Sequence, residues 1–228
     1  MTKLKAVFFD MDGVLYDSMK NHVTTWVDSF KKYGLDFPPE EAYLNEGRTG
    51  NGTIINSFRK YLNREATETD IKNIYNEKVR LMAGMPRPVI FPGMQELIKE
   101  LENSGILCQV VTGSKQPSLI EKLEHDFGVT PERIISGHDV VKGKPDPEPY
   151  LIALKRSGFK KEECIVVENA PLGIQSAKCA GIYTIAVNTG ILKDEILIAS
   201  GADELYPDSK KLSQRLLRET SQKIVEND

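Results

Sequence analysis

The segment "CIVVENAPLGIQSAKCAG", residues 164–181, changes character at its middle. Cys164 to Val167 form an apolar run of the length that suits a strand buried on both faces. Glu168 and Asn169 follow. Ala170-Pro171 then opens a stretch with apolar residues at helical spacing, which Gly181 closes. A buried strand, a polar tip and a Pro-started helix make half of a βαβ unit. In open α/β sheets ligands bind beyond the carboxyl ends of the strands, so Glu168 and Asn169 are candidate site residues.

The same alternation extends in both directions. "KAVFFD" (5–10) and "GILCQVVT" (105–112) read as strands, the second preceded by the helix "GMQELIKELENSG". The helix "PSLIEKLEHDFG" leads to "RIIS" (133–136), "PEPYLIALKRSG" is a further helix, and "IYTIAV" (182–187) a further strand. Strands alternating with helices predict a Rossmann-like, doubly wound parallel sheet with helices on both faces. Residues 17–87 break the pattern. Val23, Trp26, Val27 and Phe30 fall at i, i+3, i+4 and i+7, and three more helical stretches follow without a strand between them. This block is expected to be an inserted all-helical cap, with 1–16 and 88–228 as the α/β core. "GMPRPVIFPG" (84–93) reads as the return linker. The C-terminal "DSKKLSQRLLRETSQKIVEND" reads as an amphipathic helix with a frayed polar end. Because the insertion leaves the core at the carboxyl end of the first strand, it is expected to cover the site.

Bulk properties narrow the function classes. The 228 residues are 40% hydrophobic and 28% charged, with a formal net charge of −3. That balance offers no basic surplus for nucleic acid or an anionic membrane surface, and no apolar run approaches a membrane span. The apolar stretch near the start is broken at Asp10, too early for a signal peptide. A cytoplasmic monomer with a small-molecule substrate is the expectation. Cys108, Cys164 and Cys179 stand far apart and read as small buried hydrophobes.

Four strand ends carry the chemistry. The first offers Asp10 and Asp12, the second Thr112, Gly113 and Ser114, the loop after the third Lys142 and Lys144, and the fourth Glu168 and Asn169. Two carboxylates about 5 Å apart repel by roughly 3 kcal/mol at an effective dielectric near 20. Such a cluster stays ionised with a cation among it, or else one member is protonated. Oxygen donors without nearby Cys or His favour Mg²⁺ over Zn²⁺. A lysine, a hydroxyl and backbone N–H groups of a loop entering a helix suit an oxyanion. Together these parts suit phosphoryl transfer, in which a carboxylate can be the nucleophile.

"DMDGVLYDS", "VVTGS", "KGKPDPEPY" and "VVENAPLGIQSAKCAGI" resemble, in order, the four motifs of the haloacid dehalogenase-like superfamily of phosphatases. The resemblance covers essentially the whole chain and is strongest to the helical-cap, β-phosphoglucomutase-like group. It implies that Asp10 is the nucleophile and that Asp12 is the general acid and then the base. It also implies that Thr112 and Lys144 bind the phosphoryl group, with Gly113 and Ser114 beside it. By the same resemblance Asp10 and the Asp12 carbonyl bind Mg²⁺ with help from Glu168 or Asn169. Relatives commonly have an acid where Asn169 stands.

Substrate choice is expected from the cap, above all from "NEGRTGNGT" (45–53). In sugar phosphomutase relatives the equivalent turn carries a Lys and an Arg. Here Glu46 falls where the Lys would be, and Arg48 is the available substitute for the Arg. His22, on the first cap helix, fits a hinge position or a substrate contact. "EGRTG" with "ENAPLG" is similar to family members that act as inorganic pyrophosphatases. The expected activity is therefore a Mg²⁺-dependent phosphohydrolase acting on a small phosphorylated metabolite or on pyrophosphate. A β-phosphoglucomutase-like isomerase is the alternative enzyme, and a non-catalytic phosphate-binding regulator the alternative of another class.

Overall fold

The apolar runs become the strands of one parallel sheet in the computed structural model, which describes residues 3–115 and 118–225. After β1 (Ala6–Phe9) the chain makes a two-residue strand, β2 (Tyr16–Asp17). It then forms four helices, α1 (Met19–Lys32), α2 (Pro39–Leu44), α3 (Gly50–Leu62) and α4 (Glu68–Ala83), and returns through β3 (Val89–Ile90). The remainder alternates: α5 (Met94–Asn103), β4 (Leu107–Val111), α6 (Ser118–Phe127), β5 (Ile134–Ile135), α7 (Glu148–Ser157), β6 (Cys164–Glu168), α8 (Pro171–Cys179), β7 (Tyr183–Val187), α9 (Asp194–Ala199), β8 (Glu204–Tyr206) and α10 (Ser209–Val225). The sheet order is β5-β4-β1-β6-β7-β8, and every neighbouring pair is parallel. This is the expected doubly wound core with a helical cap.

Strands β1, β4 and β6 sit at the centre, which is why they are apolar without alternation. Two buried clusters, one on each face, seal the sheet. One gathers Val7, Phe9, Leu97, Val110 and Leu212, the other Phe8, Val111, Tyr150, Val166 and Ala177. The cap has its own core of Trp26, Phe30, Phe37, Ile54, Phe58 and Ile74. Within it the Phe30 and Phe37 rings stack at 4.6 Å between centroids.

The return segment 84–93 is not a bare linker, because Val89–Ile90 pairs antiparallel with Tyr16–Asp17. The cap therefore leaves and re-enters the core through one short ladder. Beside it Asp126 accepts hydrogen bonds from the Tyr16 hydroxyl and from Arg87, at 2.9 and 2.8 Å. Cys108 and Cys164 are buried as expected, whereas Cys179, at the end of α8, is exposed. Among the described residues no helix is long and apolar enough to cross a membrane. The expected fraying of the C-terminus concerns residues 226–228, outside the described residues.

Candidate functional site

Strand register assembles the site. Phe9 pairs with Val110 on one side and Val167 on the other, so the next residues, Asp10, Val111 and Glu168, end their strands level with one another. The Asp10 amide still donates to Val167 O at 2.9 Å, which holds its carboxylate at the strand mouth. Asp10, Thr112, Lys144, Glu168 and Asn169 are all buried there.

Lys144 is the hub. Its ammonium donates to Asp10 Oδ1 at 2.6 Å, to Glu168 Oε1 at 2.6 Å and to Val111 O at 3.0 Å. Glu168 Oε1 also accepts from the Tyr150 hydroxyl at 2.6 Å, and Oε2 from the Asn169 amide N–H at 3.2 Å. Burial opposes charge on Lys144, but Asp10 and Glu168 outweigh it and hold the ammonium firmly protonated. Lys142, the competing lysine, is exposed and lies 3.8 Å from Asp146.

The acidic side is not balanced. Burial pushes the Asp10 carboxyl well above the usual carboxylate range. Lys144 pulls it down, while Glu168 and Glu46 push it further up. Two buried oxygens, Asp10 Oδ2 and Asn169 Oδ1, have no hydrogen-bond partner. Unpartnered buried oxygens beside an excess of negative charge are what a hard cation requires. A carboxylate and an amide oxygen therefore fit Mg²⁺, whereas both oxygens of Glu168 are engaged by its neighbours. Glu168 orients Lys144 through Oε1, and its Oε2 accepts the Asn169 N–H. Among the described residues no group of three His, Cys, Asp or Glu side chains forms a metal cage.

Asp12 belongs to a second network that reaches into the cap. Ser18, at the start of α1, makes no cap bond with its side chain and donates its hydroxyl to Asp12 Oδ1 at 2.5 Å. His22, one turn on, has Nε2 3.4 Å from Asp12 Oδ1 and Nδ1 3.8 Å from Glu46 Oε2. Burial raises the Asp12 pKa, but His22 and the Ser18 hydroxyl overcome it and bring it to about 2. Glu46 is shifted the other way, upward, chiefly by burial. Glu46 thus stands beside His22, largely out of solvent.

Lys78 of α4 was not among the sequence candidates. It is buried, its ammonium lies 5.4 Å from the Trp26 ring centroid, and it feels the charges of both Asp12 and Glu46. Burial lowers its pKa. The signal was present: Ile71, Ile74, Tyr75 and Lys78 follow the i, i+3, i+4, i+7 stripe, so this lysine occupies a core-facing position. Tyr150 and Ser18 were also missed, and both are ordinary in sequence.

The remaining candidates are placed less uniformly. Thr112 Oγ1 accepts from the Ser114 amide at 3.1 Å, so the hydroxyl shapes its own loop. Gly113 and Ser114 lie in that loop and not in the first turn of a helix, because α6 begins at Ser118. The expected helix-dipole contribution is therefore more distant. Arg48 donates through Nε to Asn45 Oδ1 at 3.1 Å, and Asn45 is itself tied to Glu41. Arg48 lines the cap cavity and also an outer groove beside Lys142 and Asp146. Among other histidines, His125 pairs with Asp126 and His138 with Lys115 O, at 2.8 and 2.9 Å.

The cap loop is seated on the core. A Cβ on Gly47 would meet Lys144 Cδ at 2.7 Å, and one on Gly113 would meet Gly47 O at 2.8 Å. Under this contact lies a cavity of about 50 Å³, whose lining includes Asp12, His22, Glu46, Lys78 and Ser114.

The family profile described as "Haloacid dehalogenase-like hydrolase" matches residues 7–187. Hexitol phosphatase A of Escherichia coli is 30% identical over 189 residues, covering 82% of this chain and 84% of its own. The β-phosphoglucomutase of Bacillus subtilis is 26% identical over 226 residues, 95% of each chain. A solved structure from Bacteroides vulgatus, described as a candidate β-phosphoglucomutase, superimposes with a TM-score of 0.91 at 42% identity. It covers 97% of this chain and 90% of its own.

Proposed function

The chain belongs to the haloacid dehalogenase-like hydrolase family and is an enzyme acting on phosphoryl groups; from that premise we propose a Mg²⁺-dependent phosphohydrolase for a compact, highly charged substrate, inorganic pyrophosphate foremost. The observation that carries the substrate class is Glu46. A carboxylate in a covered cavity of about 50 Å³, facing Lys78 and His22, suits a small anion accompanied by cations. Cavities that hold drug-sized organic ligands run from about 300 Å³ upward. An acid is also a poor partner for a sugar phosphate.

Asp10 Oδ2 and Asn169 Oδ1, joined by the Asp12 carbonyl in the family resemblance, would hold Mg²⁺. When bound, the ion supplies positive charge to the phosphoryl oxygens and to the acidic cluster. The Asp10 carboxylate attacks phosphorus, and the bond to the leaving oxygen breaks as that oxygen takes a proton from Asp12. Lys144, fixed by Glu168 and Tyr150, stands beside the transferring group and offsets its charge. Ser18 and His22 hold the Asp12 carboxylate in place for both proton transfers. Asp12 is ionised when free, so the incoming phosphoryl dianion must raise its proton affinity before it can act as an acid.

Comparing kcat/KM for pyrophosphate, hexose phosphates and p-nitrophenyl phosphate with Mg²⁺ tests this reading. Pyrophosphate is expected to rank first, and a rank at or below the generic ester removes the pyrophosphate assignment. Asp10→Asn is expected to abolish turnover on every substrate while leaving the fold intact.

A second reading, a sugar phosphomutase, is favoured by the Bacteroides vulgatus and Bacillus subtilis similarities. It predicts conversion of β-glucose 1-phosphate to glucose 6-phosphate with a bisphosphate requirement, and little release of inorganic phosphate.

A further inference from the structure

Asp12 stands between two cavities. One is the small cavity that the Glu46 loop covers. The other, of about 440 Å³, lies on the hinge side, between α1, the return segment and α6. Asp12 and His22 form its inner wall, Met11, Met82 and Met85 its sides, and the exposed His125 its rim. With Gly47 seated against Gly113 and Lys144, the phosphoryl site is covered from above while this second cavity still reaches the surface.

We propose that the hinge-side cavity is a solvent portal, which brings the hydrolytic water to Asp12 while the cap is closed. This inference rests on the hydrolase reading above. In the second half of the reaction Asp12 takes one proton from water, the water oxygen bonds to phosphorus, and the Asp10–phosphorus bond breaks. The products are inorganic phosphate and the free Asp10 carboxylate. A mutase must keep its aspartyl phosphate from water until a second alcohol arrives. A hydrolase with a seated lid needs a path that bypasses the lid. Volume and polarity both suit water: the cavity far exceeds one water molecule, and its inner wall offers Asp12 and His22 as hydrogen-bond partners. Met82 and Met85 on its sides are unbranched and stand on the cap and the return segment, apart from the acidic cluster, where they can be enlarged or shortened.

The test fills the portal. Met85→Trp and, separately, Met82→Phe would be compared with Met85→Leu, which conserves volume. Each variant is checked by thermal melting, and Met82→Phe serves if Met85→Trp fails to fold. With p-nitrophenyl phosphate and Mg²⁺, the filled variants are expected to show a stoichiometric burst of p-nitrophenol. Steady turnover should then be slower by roughly tenfold, and phosphoenzyme should accumulate in acid-quenched samples. Met85→Leu should match the parent. Two outcomes would overturn the portal: unchanged turnover in a folded, filled variant, or slower phosphorylation with a raised KM and no phosphoenzyme. The second would make the cavity a substrate pocket. Failure of the hydrolase reading is seen separately, as an absence of phosphate release by the parent enzyme.

Discussion

Gly13 and Asn169 touch across the mouth of the sheet. Gly13 has φ +86°, and a Cβ there would fall 1.9 Å from Asn169 Nδ2. The turn after Asp12 and the amide that presents a free oxygen to the site are therefore built against each other.

Gly13→Ala would strain the left-handed turn by about 1–3 kcal/mol and drive the Asn169 amide from its place. Activity is expected to fall by at least roughly tenfold, with half-saturation by Mg²⁺ moved upward. A Mg²⁺ titration of initial rates, read beside a thermal melt, checks it; unchanged Mg²⁺ activation in a folded variant contradicts the contact's role.

Asn169→Asp would place a charge where a neutral oxygen now lies unpartnered. Mg²⁺ is expected to bind several-fold more tightly, because a carboxylate adds Coulombic attraction to the same coordination. Isothermal titration with Mg²⁺ alone reads this directly. No change would mean that Asn169 Oδ1 is not a ligand.

Glu46→Gln keeps the shape of the side chain and removes its charge. The kcat/KM for pyrophosphate should fall roughly tenfold or more, and that for p-nitrophenyl phosphate by no more than about threefold. Equal losses on both substrates would deny Glu46 a part in selectivity.

Metal should also stabilise the fold, with a definite dependence on pH. The Asp10 carboxyl has a native pKa above its unfolded value, so its protonated form favours the native state. That contribution is complete below the unfolded value, near about 4, and is lost as pH rises through the native one. Metal-free stability therefore falls with rising pH over this window, and the gain from Mg²⁺ grows. At a hundredfold excess over Kd the stabilisation is about 2.7 kcal/mol. Differential scanning fluorimetry with Mg²⁺ and with EDTA, from about pH 5 to 8, measures it. A Tm indifferent to Mg²⁺ throughout would count against the site.

The central strands were legible because burial on both faces leaves an unbroken apolar run, and each run ended at a polar residue that the structure gathers. The four cap helices were equally plain from their apolar spacing. The two-residue pair Tyr16–Asp17 with Val89–Ile90 was not, since two residues carry no period, and β8 is hardly longer. Lys78 was hidden for another reason. A lysine ordinarily means solvent, and that expectation outweighed its place on the apolar stripe of Ile71, Ile74 and Tyr75. Whether Glu168 or Asn169 offers a ligand atom could not be read from the strand end alone, because Tyr150 and Lys144, both distant in sequence, converge on Glu168 Oε1.

The short ladder of β2 with β3 has a mechanical consequence. Asp12 belongs to the core, whereas Ser18 and His22, which hold its carboxylate, ride on the first turns of α1 just past that ladder. Any swing of the cap about the ladder shifts both partners relative to a stationary Asp12. The lid and the proton-transfer group thus share one moving part, and lifting the lid would also release the Asp12 carboxylate from the partners that hold it and keep its proton affinity low.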